Sequence, residues 1–116
     1  MTQENKELLL KELSSRYPYE IILHFDDKVE QDDEPLYNIR KNGNTYLIND
    51  AYYLEEVKPY LRSMKSMRKE EEILNRHYQT ELSCSELYDF YNSRHLDYRG
   101  LIEKGLAIEA PDGMYN

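Results

Sequence analysis

Asn42-Gly43 narrows the folds open to this chain more than any other dipeptide in it. Both residues tolerate positive φ, the requirement of a two-residue type I′ hairpin turn, and they separate two runs that carry apolar side chains. A turn centred on them pairs Lys41 with Asn44, Ile39 with Tyr46 and Tyr37 with Ile48. Tyr37, Ile39, Tyr46 and Ile48 then share one face, while Asn38, Arg40, Thr45 and Asn49 share the other. A hairpin alone is marginal in water, so the 36–49 hairpin calls for a third strand. Residues Glu20 to Phe25 are expected to supply it, with Ile21, Leu23 and Phe25 on one side and Glu20, Ile22 and His24 on the other.

Helical spacing fills in the rest. Lys6, Leu9, Leu10 and Leu13 recur at helical intervals within residues 3–16, behind a Thr2 cap and with charged residues on the opposite face. Tyr17-Pro18 stops that helix, since proline cannot donate a backbone hydrogen bond and disfavours helix in the residue before it. Asp26 to Glu34 reads as a solvated loop. Lys58-Pro59 imposes an extended or turn conformation, leaving Tyr53 to Val57 room for a short strand or one helical turn. A helix from near Ser66 to about Gln79 should bury Leu74 and Tyr78. Ser83 and Glu86 have capping-box spacing, with Leu82 and Leu87 as the hydrophobic staple. The helix they open turns Cys84, Leu87, Tyr88 and Tyr91 inward, so Cys84 reads as an inert core thiol.

Asp97 then caps a last short helix, ended by Gly105 in a left-handed conformation with Leu106 folded back on Leu101 or Ile102. Gly100 within it implies a close backbone contact, and Arg99 an internal carboxylate partner. Leu106, Ile108 and Ala110 alternate with Ala107 and Glu109, as in a strand or strap. The expected architecture is one α+β domain over residues 1–116. An N-terminal helix packs on a small antiparallel sheet of at least three strands, and a helical C-terminal half follows. At this length roughly 65% of the unfolded surface is buried, enough for one modest core.

The chain resembles a group of short proteins of intestinal anaerobic bacteria and their phages or other mobile elements. The likeness rests on Leu13-Ser14-Ser15-Arg16-Tyr17-Pro18-Tyr19 and on Val57-Lys58-Pro59-Tyr60-Leu61-Arg62 with Met64, Ser66 and Met67. Above all it rests on the stretch from Asp97-Tyr98-Arg99-Gly100-Leu101-Ile102 through Glu103-Lys104-Gly105-Leu106 to Ala107-Ile108-Glu109-Ala110-Pro111. The group has no assigned activity, cofactor or catalytic residue, so the resemblance implies a fold and a setting only. Ser63, Lys65 and Arg68 depart from it, where such proteins tend to carry Pro, Ser and Thr.

Charge and motif spacing exclude several chemistries. A net charge of -8 opposes general affinity for phosphate backbones. The apolar run Leu8-Leu9-Leu10 is too short for a signal peptide or a membrane span, and a single cysteine fits a reducing compartment, so a cytoplasmic protein without a membrane partner is expected. His24, His77 and His95 lack zinc-ligand spacing, and Asp26 to Glu34 lacks the glycine and final Glu of a calcium loop. Neither a phosphate-binding glycine loop nor a nucleophile elbow is present, so no metal, cofactor or catalytic residue is assigned.

Three readings of function remain. Twelve tyrosines against two phenylalanines and no tryptophan suit either a core that lies close to the surface or a surface that contacts other proteins. The leading reading is therefore a nonenzymatic interaction or regulatory protein that binds another protein or a second copy of itself. The runner-up is a nucleotide or nucleic-acid binder using Lys58, Arg62, Lys65, Arg68 and Lys69, five cations among residues 58–69 with no acid between them. Glu55, Glu56 and Glu70 to Glu72 flank that segment, which favours a solvated, internally balanced face. An enzyme of unknown class comes third.

Overall fold

The computed structural model describes residues 1–81 and 84–115. Three helices, α1 (Gln3–Arg16), α2 (Lys69–Glu81) and α3 (Cys84–Ser93), accompany seven strands. These are β1 (Ile22–Phe25), β2 (Glu34–Pro35), β3 (Ile39–Asn42), β4 (Thr45–Ile48), β5 (Tyr52–Tyr53), β6 (Val57–Leu61) and β7 (Ile108–Glu109). The α+β architecture read from the sequence is the one formed, but its strands divide into two sheets. One runs in the order β2-β1-β6-β7 and the other β3-β4-β5.

Helix α1 begins at the expected cap, where the Thr2 hydroxyl accepts the Asn5 N–H at 3.1 Å. A 3-10 turn at Tyr17–Tyr19 and a left-handed Glu20 (φ 55°) then aim the chain into β1. Leu23 and Phe25 are buried there, as the alternation requires. Both edges of β1 are filled, by β2 on one side and β6 on the other, which is why the hairpin does not join it. Pro35 sits on the edge strand β2, where its missing N–H costs no ladder bond. Pro59 lies in the interior strand β6, but the β1–β6 register turns its nitrogen toward β7, which pairs only from Tyr60 onward.

The hairpin takes a different turn from the one expected. Asn42 pairs with Thr45 and Ile39 with Ile48, so Gly43 and Asn44 are the central residues. Only Gly43 has positive φ (62°), the type II′ pattern with glycine first. The shift is two residues along β4, an even number, and therefore leaves the faces unchanged. Ile39 and Ile48 still face the core, while Tyr37 falls outside the strand and is 56% exposed. Asn49 is buried rather than solvated. Its Oδ1 accepts the N–H groups of Tyr37 (2.8 Å) and Asn38 (3.2 Å), and its Nδ2 donates to Glu34 and to the Pro35 carbonyl, both at 3.0 Å. One side chain thus staples the two sheets together.

The stretch from Tyr53 to Val57, which had room for a short strand or one helical turn, takes both: β5 leads into a 3-10 turn at Leu54–Glu56, then β6, and a second 3-10 turn follows at Met64–Ser66. Instead of one core there are two clusters. The larger gathers Leu9 and Leu13 of α1, the inner faces of β1 and β6, Ile48, Leu54, Leu101 and Leu106. The smaller joins Phe90, Tyr91 and Leu96, with Leu74, Tyr78 and Leu87 packed against it. Cys84 is exposed, not inward, because α3 buries Phe90, Tyr91 and Asn92 instead. The Leu82–Ser83 capping site lies outside the described residues.

No helix forms after Asp97. Residues 98–105 are successive turns, although their local signals act as read. The Asp97 carboxylate accepts the N–H groups of Leu101 (2.8 Å) and Ile102 (3.0 Å). Leu106 N–H reaches the Leu101 carbonyl and Gly105 N–H that of Ile102, the paired bonds of a Schellman ending. Gly100 is required by its φ of 74°, not by a close neighbour, since a Cβ there would meet nothing within 4 Å. Beyond Gly105 the expected strap is β7, parallel to β6.

Candidate functional site

Leu9, Glu12, Leu13 and Arg16 lie at i, i+3, i+4 and i+7, so two charged residues share the buried stripe of α1 with two leucines. Both are fully buried. The Arg16 guanidinium donates to Glu12 and to the Leu96 carbonyl, and reaches the Tyr91 carbonyl at 3.4 Å. Burial pushes its pKa below the usual value, against the pull of Glu12. Arg99 completes the group, donating to Glu12 at 3.0 Å and to the Ser15 hydroxyl at 3.1 Å. Two guanidiniums share one carboxylate, which leaves an excess of positive charge between α1 and the 91–99 segment.

Aromatic rings are layered over this charge. Tyr98 stacks on Tyr91 with centroids 5.1 Å apart and on Tyr88 at 5.2 Å, with interplanar angles of 26° and 18°. The Arg99 guanidinium lies 4.5 Å from the Tyr98 centroid, within cation–π range. Tyr91, at the inner end, donates its hydroxyl to Asn75 at 2.6 Å. Tyr88, at the outer end, is 46% exposed. With Leu8, Lys11, Tyr98 and Arg99 it lines an open groove of about 500 Å³ between α1 and α3. The groove's cations are conspicuous on a chain of net charge -8.

The basic segment is dispersed rather than assembled. Arg62 turns inward, donating to the fully buried Glu71 through Nη1 (2.8 Å) and Nη2 (2.6 Å). Those bonds hold the Glu71 carboxyl down at about 2. Lys58 borders a depression shared with Asp26, Asp27, Glu55 and Glu56. Arg68 joins Arg62 along a hollow of about 270 Å³, where Glu109 and Asp112 offset them. Lys65 and Lys69 are exposed and do not line that hollow.

Of the histidines, His24 has the most chemical neighbourhood. Its Nδ1 lies 3.1 Å from Asp33 and 3.2 Å from the Tyr60 hydroxyl, which itself donates to Asp33 at 2.9 Å. Burial, reinforced by Asp33, pushes the Tyr60 hydroxyl up. His24 and Asp33 are over a third exposed, and no serine or cysteine among the described residues hydrogen-bonds to the ring. Among those residues no three of His, Cys, Asp or Glu group so as to hold a metal ion. No helix there is long and apolar enough to cross a membrane.

No family model, curated protein or solved structure matches this chain. What it does is therefore read from its own geometry. The internal carboxylate expected for Arg99 is that of Glu12, a partner the sequence did not name. Sequence reasoning missed Glu12 and Arg16, although their spacing on the Leu9–Leu13 stripe was the available signal. Three arginines distant in sequence hold the 94–99 segment: Arg16 through the Leu96 carbonyl, Arg62 through the Arg94 carbonyl, and Arg99, from within it, through Glu12.

Proposed function

We propose that this protein is a nonenzymatic protein-binding module whose contact surface is the groove lined by Leu8, Lys11, Tyr88, Tyr98 and Arg99. The observation that carries the reading is the tyrosine ladder. Tyr88 is exposed, yet its ring is backed by two others already fixed by packing and by the Tyr91–Asn75 hydrogen bond. An aromatic anchor held in place before binding loses little entropy on binding, the property that makes Tyr a frequent hot spot. The surplus cations select what lies beside it. The matching partner is a segment of another protein that presents an aromatic ring flanked by carboxylates.

The setting implied by the resemblance is part of the proposal: a cytoplasmic regulatory factor carried by a phage or mobile element, acting by occupying a partner rather than by chemistry. The test is selection of displayed peptides on the wild-type protein. Enriched sequences should combine an aromatic with acidic residues, and Tyr88→Ala should weaken their binding by roughly 30-fold, a loss typical of a hot spot, while lowering the melting temperature by only a few degrees through loss of the Tyr98 stacking contact. Lys11→Glu should weaken it further at low salt than at high salt. Peptides of no common character, or binding indifferent to Tyr88, would refute the reading. Sedimentation of the free protein decides whether a second copy occupies the groove instead.

A further inference from the structure

The β1–β6 ladder stops one pair short. Asp26 N–H donates to the Glu56 carbonyl at 2.8 Å, and the pairs Phe25 with Val57, His24 with Lys58 and Leu23 with Pro59 follow in register. Bonded and non-bonded pairs alternate, so Ile22 opposite Tyr60 is the next pair due to exchange backbone hydrogen bonds. Instead, Ile22 N–H donates to the Tyr115 hydroxyl at 2.9 Å, and that hydroxyl donates to the Tyr60 carbonyl at 2.8 Å. A phenol oxygen stands where a ladder bond belongs. Behind it the Tyr115 ring stacks on His95, with centroids 3.9 Å apart and planes at 23°. His95 is itself fixed by its backbone, at φ 60° with its carbonyl accepting Arg62 N–H at 2.7 Å.

These surroundings discriminate. The backbone pair rewards a hydroxyl that accepts and donates at once, and the imidazole rewards a flat ring. Among the described residues, the hydrogen bonds that tie residues 111–115 to the sheet are the two of the Tyr115 hydroxyl. We propose that the gap is a phenol-binding slot, filled here by Tyr115 as an intramolecular ligand. A para-substituted phenol, free or as the tyrosine of a peptide, fills it when the 111–115 segment lifts away.

The full chain carrying Tyr115→Gly tests this, with melting temperature read against added 4-methylphenol, toluene, 4-methylanisole or a peptide of residues 111–116. The substitution should lower the melting temperature by several degrees. 4-Methylphenol should restore it saturably, while toluene and 4-methylanisole, which cannot both accept and donate, should restore much less. Rescue by the peptide as well extends the slot to tyrosine within a chain, and rescue by 4-methylphenol alone restricts it to small phenols. In the wild type, 4-methylphenol should speed proteolysis after residue 109, a readout that does not depend on the variant folding. Tyr115→Phe should be less stable than wild type, because Ile22 N–H and the Tyr60 carbonyl lose their shared partner. Equal rescue by toluene, no rescue together with no effect on proteolysis, or a Phe variant as stable as wild type would each overturn the slot.

Discussion

Glu71→Gln should remove about 3 kcal/mol of stability at neutral pH and flatten the acid limb of the stability profile. Glu71 is fully buried on α2 and accepts from both Arg62 Nη atoms and from the Arg68 N–H at 2.9 Å. Its carboxyl titrates at about 2 when folded against 4.5 ordinarily, chiefly through the Arg62 hydrogen bonds. A depressed acid contributes stability that is complete above its unfolded pKa and is lost as pH falls through its folded one, so the window runs from about 4.5 down to about 2. The size of that shift corresponds to about 3 kcal/mol. Stranding the partner of a buried pair costs about 3–5 kcal/mol. Arg62 keeps its bonds to the Ser66 and Arg94 carbonyls and is 11% exposed, which places this case at the lower end. Urea unfolding of both proteins across that pH range measures it. A Gln variant as stable as wild type at neutral pH, or a gap between the two that stays constant down to about pH 2, would refute the reasoning.

His95 titrates in a different window. Burial, then Arg16 and Arg62, lower it from 6.5 to about 4, so the unfolded chain takes up the proton first and stability should fall as pH drops from 6.5 toward 4. His95→Asn, which tolerates the same left-handed backbone, should remove that decline and leave the Glu71 limb in place, as read by urea midpoints. Gly105→Ala has open space for its methyl but must hold φ at 73°, so calorimetry should show a loss of about 1 kcal/mol. Deleting residues 106–116 strips β7 from β6 and removes Leu106 and Tyr115, and should unfold or strongly destabilise the domain; a truncated protein that melts like the full chain would show otherwise. Replacing Lys65 by Ser and Arg68 by Thr should shift stability by about 0–1 kcal/mol and leave peptide capture intact, whereas salt-sensitive nucleotide binding lost in that double variant would favour the basic segment as the site.

Local signals were legible and their partners were not. Thr2, Asp97 and Gly105 act as read because caps and left-handed endings are decided within a few residues. The faces of the hairpin were also legible, since period-two patterning survives an even slip, but its register was not, because Gly43 suits either place in a two-residue turn. That β1 pairs with β2 and β6 rather than with the hairpin is a contest between strands distant in sequence. Cys84 was misplaced because apolar spacing on α3 fits two neighbouring faces, and docking against α2 selected the one with Phe90 and Tyr91. The candidate site was the least legible part. Tyr88, Tyr91 and Tyr98 are ordinary members of a tyrosine-rich sequence until α3 and the 91–99 segment bring their rings into one stack.

Pro59 has a consequence for the chain before it is complete in three dimensions. Parallel pairing of β6 with β7 joins residues far apart in sequence and so forms late in folding. Until then β6 exposes one unsatisfied edge, the kind of surface on which a foreign strand can grow into an aggregate. A proline in mid-strand presents no donor to that visitor, while its carbonyl and that of Leu61 await β7. The residue that sets where the last strand begins also guards the unfinished sheet against intermolecular growth.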